Sequence, residues 1–217
     1  MKDFLKNVDI FSNLSEQDIE NIASMTTRKS YKKNNLLFHE EDMSDGVYII
    51  KSGFAKVYSL SESGKEQTLA ILSEGDIIGE ISLYDNAWRS ATVQTIEPTE
   101  FIFIPLSKFK ELLNSLPSLN LKIAELVAER LRITNVQVTK MVDMSSYDRV
   151  LTKLEEMAEK FGKSHSKGII IQPRLTHNDI ASLTGLVRET VTKTLNDLVD
   201  EGTIDFENRR IVMLHRG

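Results

Sequence analysis

A glutamate and an arginine nine residues apart, in Ile78-Gly79-Glu80-Ile81-Ser82-Leu83 and Arg89-Ser90-Ala91, are the groups in this 217-residue chain best suited to hold a ligand. The Glu80 carboxylate can accept hydrogen bonds from sugar hydroxyls. The Arg89 guanidinium offers a planar fork of donors that matches the oxygens of a phosphate, with the Ser90 hydroxyl beside it. Gly79 has no Cβ and lets the backbone approach the ligand, while the N–H groups that follow, through Ile81 and Ser82, can receive an anion. The chemistry this suggests is retention of a small molecule that carries both hydroxyls and a phosphate.

A second set lies in the segment from Leu175 to Leu195. Thr176, with Asp179 three residues on, has the spacing of a helix-capping pair, and Gly185 can supply the positive φ of a tight turn between two helices. Ile180, Leu183, Val191 and Leu195 recur at helical spacing and are expected to face inward. Arg188, Glu189, Thr192 and Lys193 are then left on the exposed start of the second helix. This is helix-turn-helix grammar. An arginine there can read guanine and a glutamate can accept from cytosine N4, while Thr176, His177 and Thr190 sit where helix starts commonly hold phosphate. The competing reading is a solvated charged face.

These groups need scaffolding, and the chain passes through three regimes. Residues 1 to about 30 read as short helices, with a Ser15 cap and Asp18 three positions on. From Tyr31 to Ile104 short apolar runs alternate with glycines. Val47–Ile50, Phe54–Tyr58, Thr68–Leu72, Thr92–Thr95 and Phe101–Ile104 are strand candidates, Ser61–Gly64 is a hairpin tip, and the spacing predicts a compact all-β unit. Asp42 and Asp45, beside Gly46, read as turn residues. Past Pro105 the period becomes helical: Ser107 is expected to cap a short helix ending before Pro117. A long helix follows over about 118–144, with a narrow stripe of Ala124, Val127, Leu131, Val138 and Met141 and Thr134 in its gap. That stripe suits a two-stranded seam, or else packing within one domain. The remainder predicts a helix over about 146–161, a polar loop over 162–168, a strand at Ile169–Ile171, the two helices above and a hairpin around Glu207–Arg210.

Composition narrows the function classes. With 41% hydrophobic and 27% charged residues the chain reads as an ordinary globular protein, and the absence of cysteine excludes disulfides, thiolate metal sites, cysteine-ligated iron–sulfur clusters and a cysteine nucleophile. His39, His165, His177 and His215 lack metal-ligand spacing, so no metal is expected. No nucleophile-and-base pattern stands out, which argues against an enzyme and leaves no catalytic residues to name. No leader and no apolar run of about 20 residues is seen, so a cytoplasmic protein is expected. The net charge of −5 predicts modest non-specific affinity for nucleic acid.

The order of these parts resembles the cyclic AMP receptor protein and fumarate–nitrate regulator (CRP/FNR) family of bacterial transcription regulators, over nearly the whole chain. Gly79-Glu80-Ile81-Ser82-Leu83 with Arg89-Ser90-Ala91 is similar to the family's phosphate-binding cassette. Arg188-Glu189-Thr190-Val191-Thr192-Lys193 is similar to its recognition helix, with Lys193 replacing a final arginine and losing the bidentate fork. Arg130 to Asn135 falls where the cyclic AMP receptor branch has an arginine followed by a Thr-Ser pair on the adenine, with Asn135 in place of serine.

The resemblance implies an α+β fold: an N-terminal cyclic-nucleotide-binding-type β-roll (1–117), a long dimerisation helix (118–144) and a C-terminal winged helix-turn-helix (145–217). It implies a homodimer that needs no cofactor beyond an effector, most readily cyclic AMP. Gly79, Glu80, Ile81, Ser82, Arg89 and Ser90 would hold its sugar and phosphate, Thr134 and Asn135 its base, and Arg130 would pair with Glu80. Thr134 bonding its own helix backbone is the alternative. Thr176, His177, Arg188, Glu189, Thr190 and Lys193 would meet near-palindromic double-stranded DNA, with RNA polymerase as a further partner and no membrane. Two other readings stay open: the same architecture with a different effector or none, and a cyclic-nucleotide module that regulates a partner enzyme without binding DNA.

Overall fold

The computed structural model describes residues 1–84 and 88–215, and within 137–143 the backbone alone. The chain divides into two compact units. One comprises Met1–Ser59 and Ile71–Asn135, the other Leu60–Ala70 and Val136–Gly217.

The first unit opens with helices α1 (Lys2–Lys6) and α2 (Glu16–Met25). A reciprocal capping box starts α2: the Ser15 hydroxyl accepts from the Asp18 N–H, and the Asp18 carboxylate accepts from the Ser15 N–H. Strands β1 (Thr27–Tyr31), β2 (Leu36–Phe38), β3 (Gly46–Ser52), β4 (Ala55–Leu60), β5 (Glu66–Leu72), β6 (Ile77–Ile78), β7 (Thr92–Thr95) and β8 (Thr99–Pro105) follow. They form two four-stranded sheets, ordered β1-β8-β3-β6 and β2-β7-β4-β5. Helix α3 (Leu106–Ser115) and helix α4 (Pro117–Asp143) come next, and by the division above most of β5 and the end of α4 past Asn135 are counted with the second unit.

Register explains where the core sits. In the antiparallel β3–β8 pair Val47 lies opposite Ile104 and Ile49 opposite Ile102. These four point to one face, where they pack with Leu5, Phe11, Ile19, Ile22, Phe109, Leu112, Leu119 and Ile123 from the helices. Each fully buried side chain of this size contributes about 1.5–3 kcal/mol of transfer free energy. Tyr48 and Phe103 alternate to the other face, their ring centroids 4.8 Å apart, and Tyr48 also meets Phe38 of β2 at 6.0 Å.

In the second unit the helices α5 (Ser146–Phe161), α6 (His177–Thr184) and α7 (Arg188–Asp200) accompany a sheet of β9 (Gly162–His165), β10 (Gly168–Ile171), β11 (Ile204–Glu207) and β12 (Arg210–Leu214), in the order β11-β12-β10-β9. Val150, Leu154, Ile180, Val191, Leu195 and Leu198 are buried among them. Together the two units make an α+β architecture: an N-terminal β-sheet domain, a long helix and a C-terminal helix-turn-helix with a β-hairpin wing.

Three local expectations are corrected. The expected Ser107 cap is absent: α3 begins at Leu106 after Pro105 with no side-chain cap, and the Leu106 N–H is taken by the Asp45 carbonyl. The stretch expected as a loop after α5 is partly strand, because Gly162–His165 pairs antiparallel with β10; polar residues are well tolerated on such an edge. The helix-like start of the chain ends earlier than residue 30, since Thr27–Tyr31 pairs with β8, a backbone ladder that its mostly polar side chains do not announce.

Candidate functional site

Seven of the nine expected ligand residues, Gly79, Glu80, Ile81, Ser82, Arg89, Ser90 and Arg130, line one cleft in the first unit, and Thr134 and Asn135 do not. Strand β6 delivers the chain to Gly79, whose φ of +89° only glycine adopts without strain. A side chain there would also collide with the Arg89 guanidinium. A single 3₁₀ turn, Ile81–Leu83, then carries the chain past the cleft. The Ser82 hydroxyl donates to the Trp88 carbonyl (2.8 Å) and ties the two halves of the segment together. On the other side the Arg89 backbone is clamped to the turn before β3, its N–H donating to the Asp42 carbonyl and its carbonyl accepting from Glu41, both at 2.9 Å.

Both charged groups are withdrawn from water: Arg89 is 2% and Glu80 1% exposed. Burial of unpaired charge is costly, and each has a partner. Arg89 Nη2 donates to Asp45 Oδ1 (2.7 Å) and to the Gly46 carbonyl (2.8 Å), and its guanidinium lies 3.9 Å from the centroid of the Phe38 ring. Glu80 Oε1 accepts from Arg130 Nη1, and Arg130 Nη2 donates to the Ile77 carbonyl (2.7 Å). Burial pushes the Arg89 pKa down, opposed by the Asp45 carboxylate. Burial pushes Asp45 up, but the Tyr48 hydroxyl, Arg89 and Lys29 outweigh it and hold the carboxyl below its usual range.

Pairing is incomplete in a telling way. Among the described residues, the buried side-chain polar atoms left without a partner are Glu80 Oε2, Arg89 Nε and Arg89 Nη1. An acceptor and two cationic donors thus remain unused in one cleft, and each such atom costs about 1–3 kcal/mol, more where charged, until something satisfies it. The arrangement can hold a ligand that donates a hydroxyl at one point and presents an anion at another.

The rest of the lining is apolar and includes Val57, Leu72 and Val93. Thr134, expected at a base, lies exposed on α4 with its hydroxyl donating to the Arg130 carbonyl (2.9 Å), the backbone alternative; Asn135 is also exposed. Helix α4 carries two stripes. Leu119, Ile123 and Leu126 turn to the core. Ala124, Val127 and Leu131 are exposed, Leu131 at 61%. The expected continuation through the side chains of Val138 and Met141 lies outside the described residues.

Asp45 is the residue that sequence reasoning misjudged. Expected in a turn, it is the counter-ion of Arg89, and a sequence separation of 44 hides the pair from any local pattern. Phe38, the platform under the guanidinium, was likewise unsignalled.

In the second unit α6 starts with a capping box between Thr176 and Asp179 and ends at Gly185, in the left-handed region with φ of +72°. The expected inward residues Ile180, Leu183, Val191 and Leu195 are buried. Arg188, Glu189 and Lys193 are exposed on the first turns of α7, with Thr190 half-buried. Thr192, expected on the free face, is half-buried instead: its hydroxyl donates to the Arg188 carbonyl (2.9 Å) and lies 2.8 Å from His177 Nδ1. His177 therefore braces α6 against α7. The wing tip places Asn208 and Arg209 in left-handed conformation.

Known proteins share this plan. A cyclic nucleotide-binding domain model matches residues 28–115, and a Crp-like helix-turn-helix domain model matches residues 148–217. The cyclic AMP receptor protein of Thermus thermophilus is 28% identical over 200 residues, covering 92% of this chain and 89% of its own. The CRP-like cAMP-activated global transcriptional regulator of Mycobacterium tuberculosis is 26% identical over 98% of this chain and 95% of its own. Among solved structures, the c-di-GMP-responsive global regulator CLP of Xanthomonas campestris superposes with a TM-score of 0.80 at 20% identity, over 93% of this chain and all of the other. Those relatives are regulators of transcription rather than enzymes, and no helix among the described residues is long and apolar enough to cross a membrane. With a cyclic nucleotide-binding domain ahead of a Crp-like helix-turn-helix, the chain belongs to the CRP/FNR family of transcription regulators.

Proposed function

We propose that this regulator works as a cytoplasmic homodimer whose DNA binding is switched by a cyclic nucleotide, cyclic AMP foremost. The observation that carries the reading is the trio of unsatisfied buried atoms, Glu80 Oε2, Arg89 Nε and Arg89 Nη1, in one cleft. A ribose hydroxyl would satisfy the first and a cyclic phosphate the other two, with Ser90 beside the phosphate and the apolar lining against the base. Residues 1–117 act as the effector domain, 118–144 as the dimerisation helix and 145–217 as the DNA-binding domain. The exposed stripe of Ala124, Val127 and Leu131 supports the dimer seam, because apolar side chains in a row favour a partner over water. Two recognition helices related by a two-fold would present Arg188, Glu189 and Lys193 to half-sites about one helical turn apart, with Thr176, His177 and Thr190 toward phosphates and RNA polymerase as the further partner.

A second reading keeps the switch and changes the effector. It is favoured by Thr134, whose hydroxyl is already spent on the helix backbone. Relatives point the same way: one is named as an anaerobic regulatory protein, of Bacillus subtilis, 26% identical over 94% of this chain. Calorimetric titration with cyclic AMP and cyclic GMP separates the two. Arg89→Ala should weaken binding roughly ten- to a hundredfold, the worth of one charge-assisted hydrogen bond, while thermal unfolding stays cooperative. A wild-type protein that binds neither nucleotide at millimolar concentration contradicts the cyclic-nucleotide reading.

A further inference from the structure

We propose that Asp45, which does not line the cleft, sets the charge of the anion the cleft accepts, admitting the monoanionic phosphate of a diester and disfavouring the dianionic phosphate of a monoester. The proposal rests on the reading of the cleft as a cyclic-nucleotide site.

Five charged side chains form the network around Arg89. Lys29 lies 3.5 Å from Asp45, Asp45 pairs with Arg89 at 2.7 Å, and Arg130 pairs with Glu80. Three cations face two carboxylates, an excess of one positive charge. A monoanion neutralises that excess and a dianion overfills it. The second negative charge would then sit beside Asp45 and Glu80 with no cation left to meet it. Coulomb interaction at such a site is strong, because the Arg89 side chain is only 1% exposed and water screens it poorly.

Geometry keeps Asp45 out of the ligand's way while leaving its charge in place. It takes Nη2, the nitrogen that also bonds the Gly46 carbonyl, and leaves Nε and Nη1 unused. The guanidinium cannot swing away from it: Phe38 covers one face and the Gly79 backbone abuts Nη1. Asp45 is in turn fixed by the Tyr48 hydroxyl, which donates to Oδ2 at 2.7 Å, and Lys29 also donates to that hydroxyl at 3.1 Å. The neighbouring Asp42 carboxylate is turned to the His39 N–H, at 2.7 Å. Asp45 is thus a positioning and selecting residue, acting on the ligand through Arg89.

The test compares cyclic AMP, a monoanion throughout, with 5′-AMP, whose phosphate passes from monoanion to dianion near about pH 6. Calorimetry at about pH 5 and about pH 8 brackets that step, and Asp45, held below the usual carboxylate range, stays ionised across it. A His39→Asn background removes the histidine nearest in sequence to the site. Wild type should bind 5′-AMP roughly tenfold more weakly at the higher pH and cyclic AMP equally at both, a magnitude discounted because Asp45 itself is 51% exposed. Asp45→Asn should flatten the 5′-AMP profile and cut the preference for cyclic AMP at the higher pH by roughly the same tenfold. Tyr48→Phe, which loosens Asp45 without altering its charge, should keep the wild-type profile; a flattened one would assign the effect to packing and overturn the proposal. So would an Asp45→Asn profile as steep as wild type, or 5′-AMP binding detectable in neither protein. A wild type that binds no cyclic nucleotide fails the reading of the cleft, and the proposal falls with it.

Discussion

A guanidinium removed from water with two of its nitrogens unpaired is an unstable arrangement unless something returns what it lost. Arg89 is such a group, and Glu80 Oε2 is its acceptor counterpart. The proposed recognition residues in the second unit show the opposite design: Arg188, Glu189 and Lys193 are left exposed, and a DNA groove would have to replace their hydration. The two kinds of site should fail differently on mutation. Glu189→Ala should change which DNA sequence is selected from a random pool, since one lost base contact costs about 1–3 kcal/mol at a single position. Thr190→Ala should weaken all sites more evenly. Recovery of the same motif by wild type and Glu189→Ala would remove Glu189 as a reader. At this scale the sequence was legible wherever partners lie in one segment, as with Gly79, Glu80 and Arg89, or Thr176 and Asp179. It was mute about Asp45, Phe38 and Tyr48, which reach Arg89 only after β2 and β3 have been folded against the cassette.

Elements translate these residues into geometry. The capping boxes on α2 and α6 and the left-handed Gly185 were readable because cap and turn chemistry is local. Strand β9 was not, because an edge strand of polar residues owes its existence to the backbone of β10. Helix α4 was half-readable. Its narrow apolar stripe stood out, but the second stripe through Leu119, Ile123 and Leu126, which binds the helix to its own domain, did not. A helix that is anchored along one face and apolar along another is suited to dimerisation without losing its hold on the pocket, where Arg130 meets Glu80. Leu131→Glu places a charge on the exposed stripe and should yield monomers in sedimentation velocity that no longer bind a two-fold site. Wild type that is monomeric at micromolar concentration would exclude the seam.

For the molecule as a whole, the net charge of −5 makes indiscriminate attraction to DNA weak, so affinity must come from the few cations that face phosphate and, in the proposed dimer, from paired half-sites. A regulator built this way has room for control: an effector that favours one poise of the DNA-binding domains changes affinity by its differential free energy between the two states, typically 5- to 150-fold. Arg89 and Arg130 line the same cleft, one on the cassette and one on α4, so a ligand that satisfied the cassette's unused atoms would sit beside a residue of the helix. The most direct measurement is fluorescence anisotropy of a selected two-fold DNA site, with and without saturating cyclic AMP, for wild type and Arg89→Ala. Cyclic AMP should tighten wild-type binding by about tenfold or more and leave Arg89→Ala at the unliganded level. Equal affinity with and without the nucleotide in wild type, or an Arg89→Ala protein that responds as wild type does, would contradict the account.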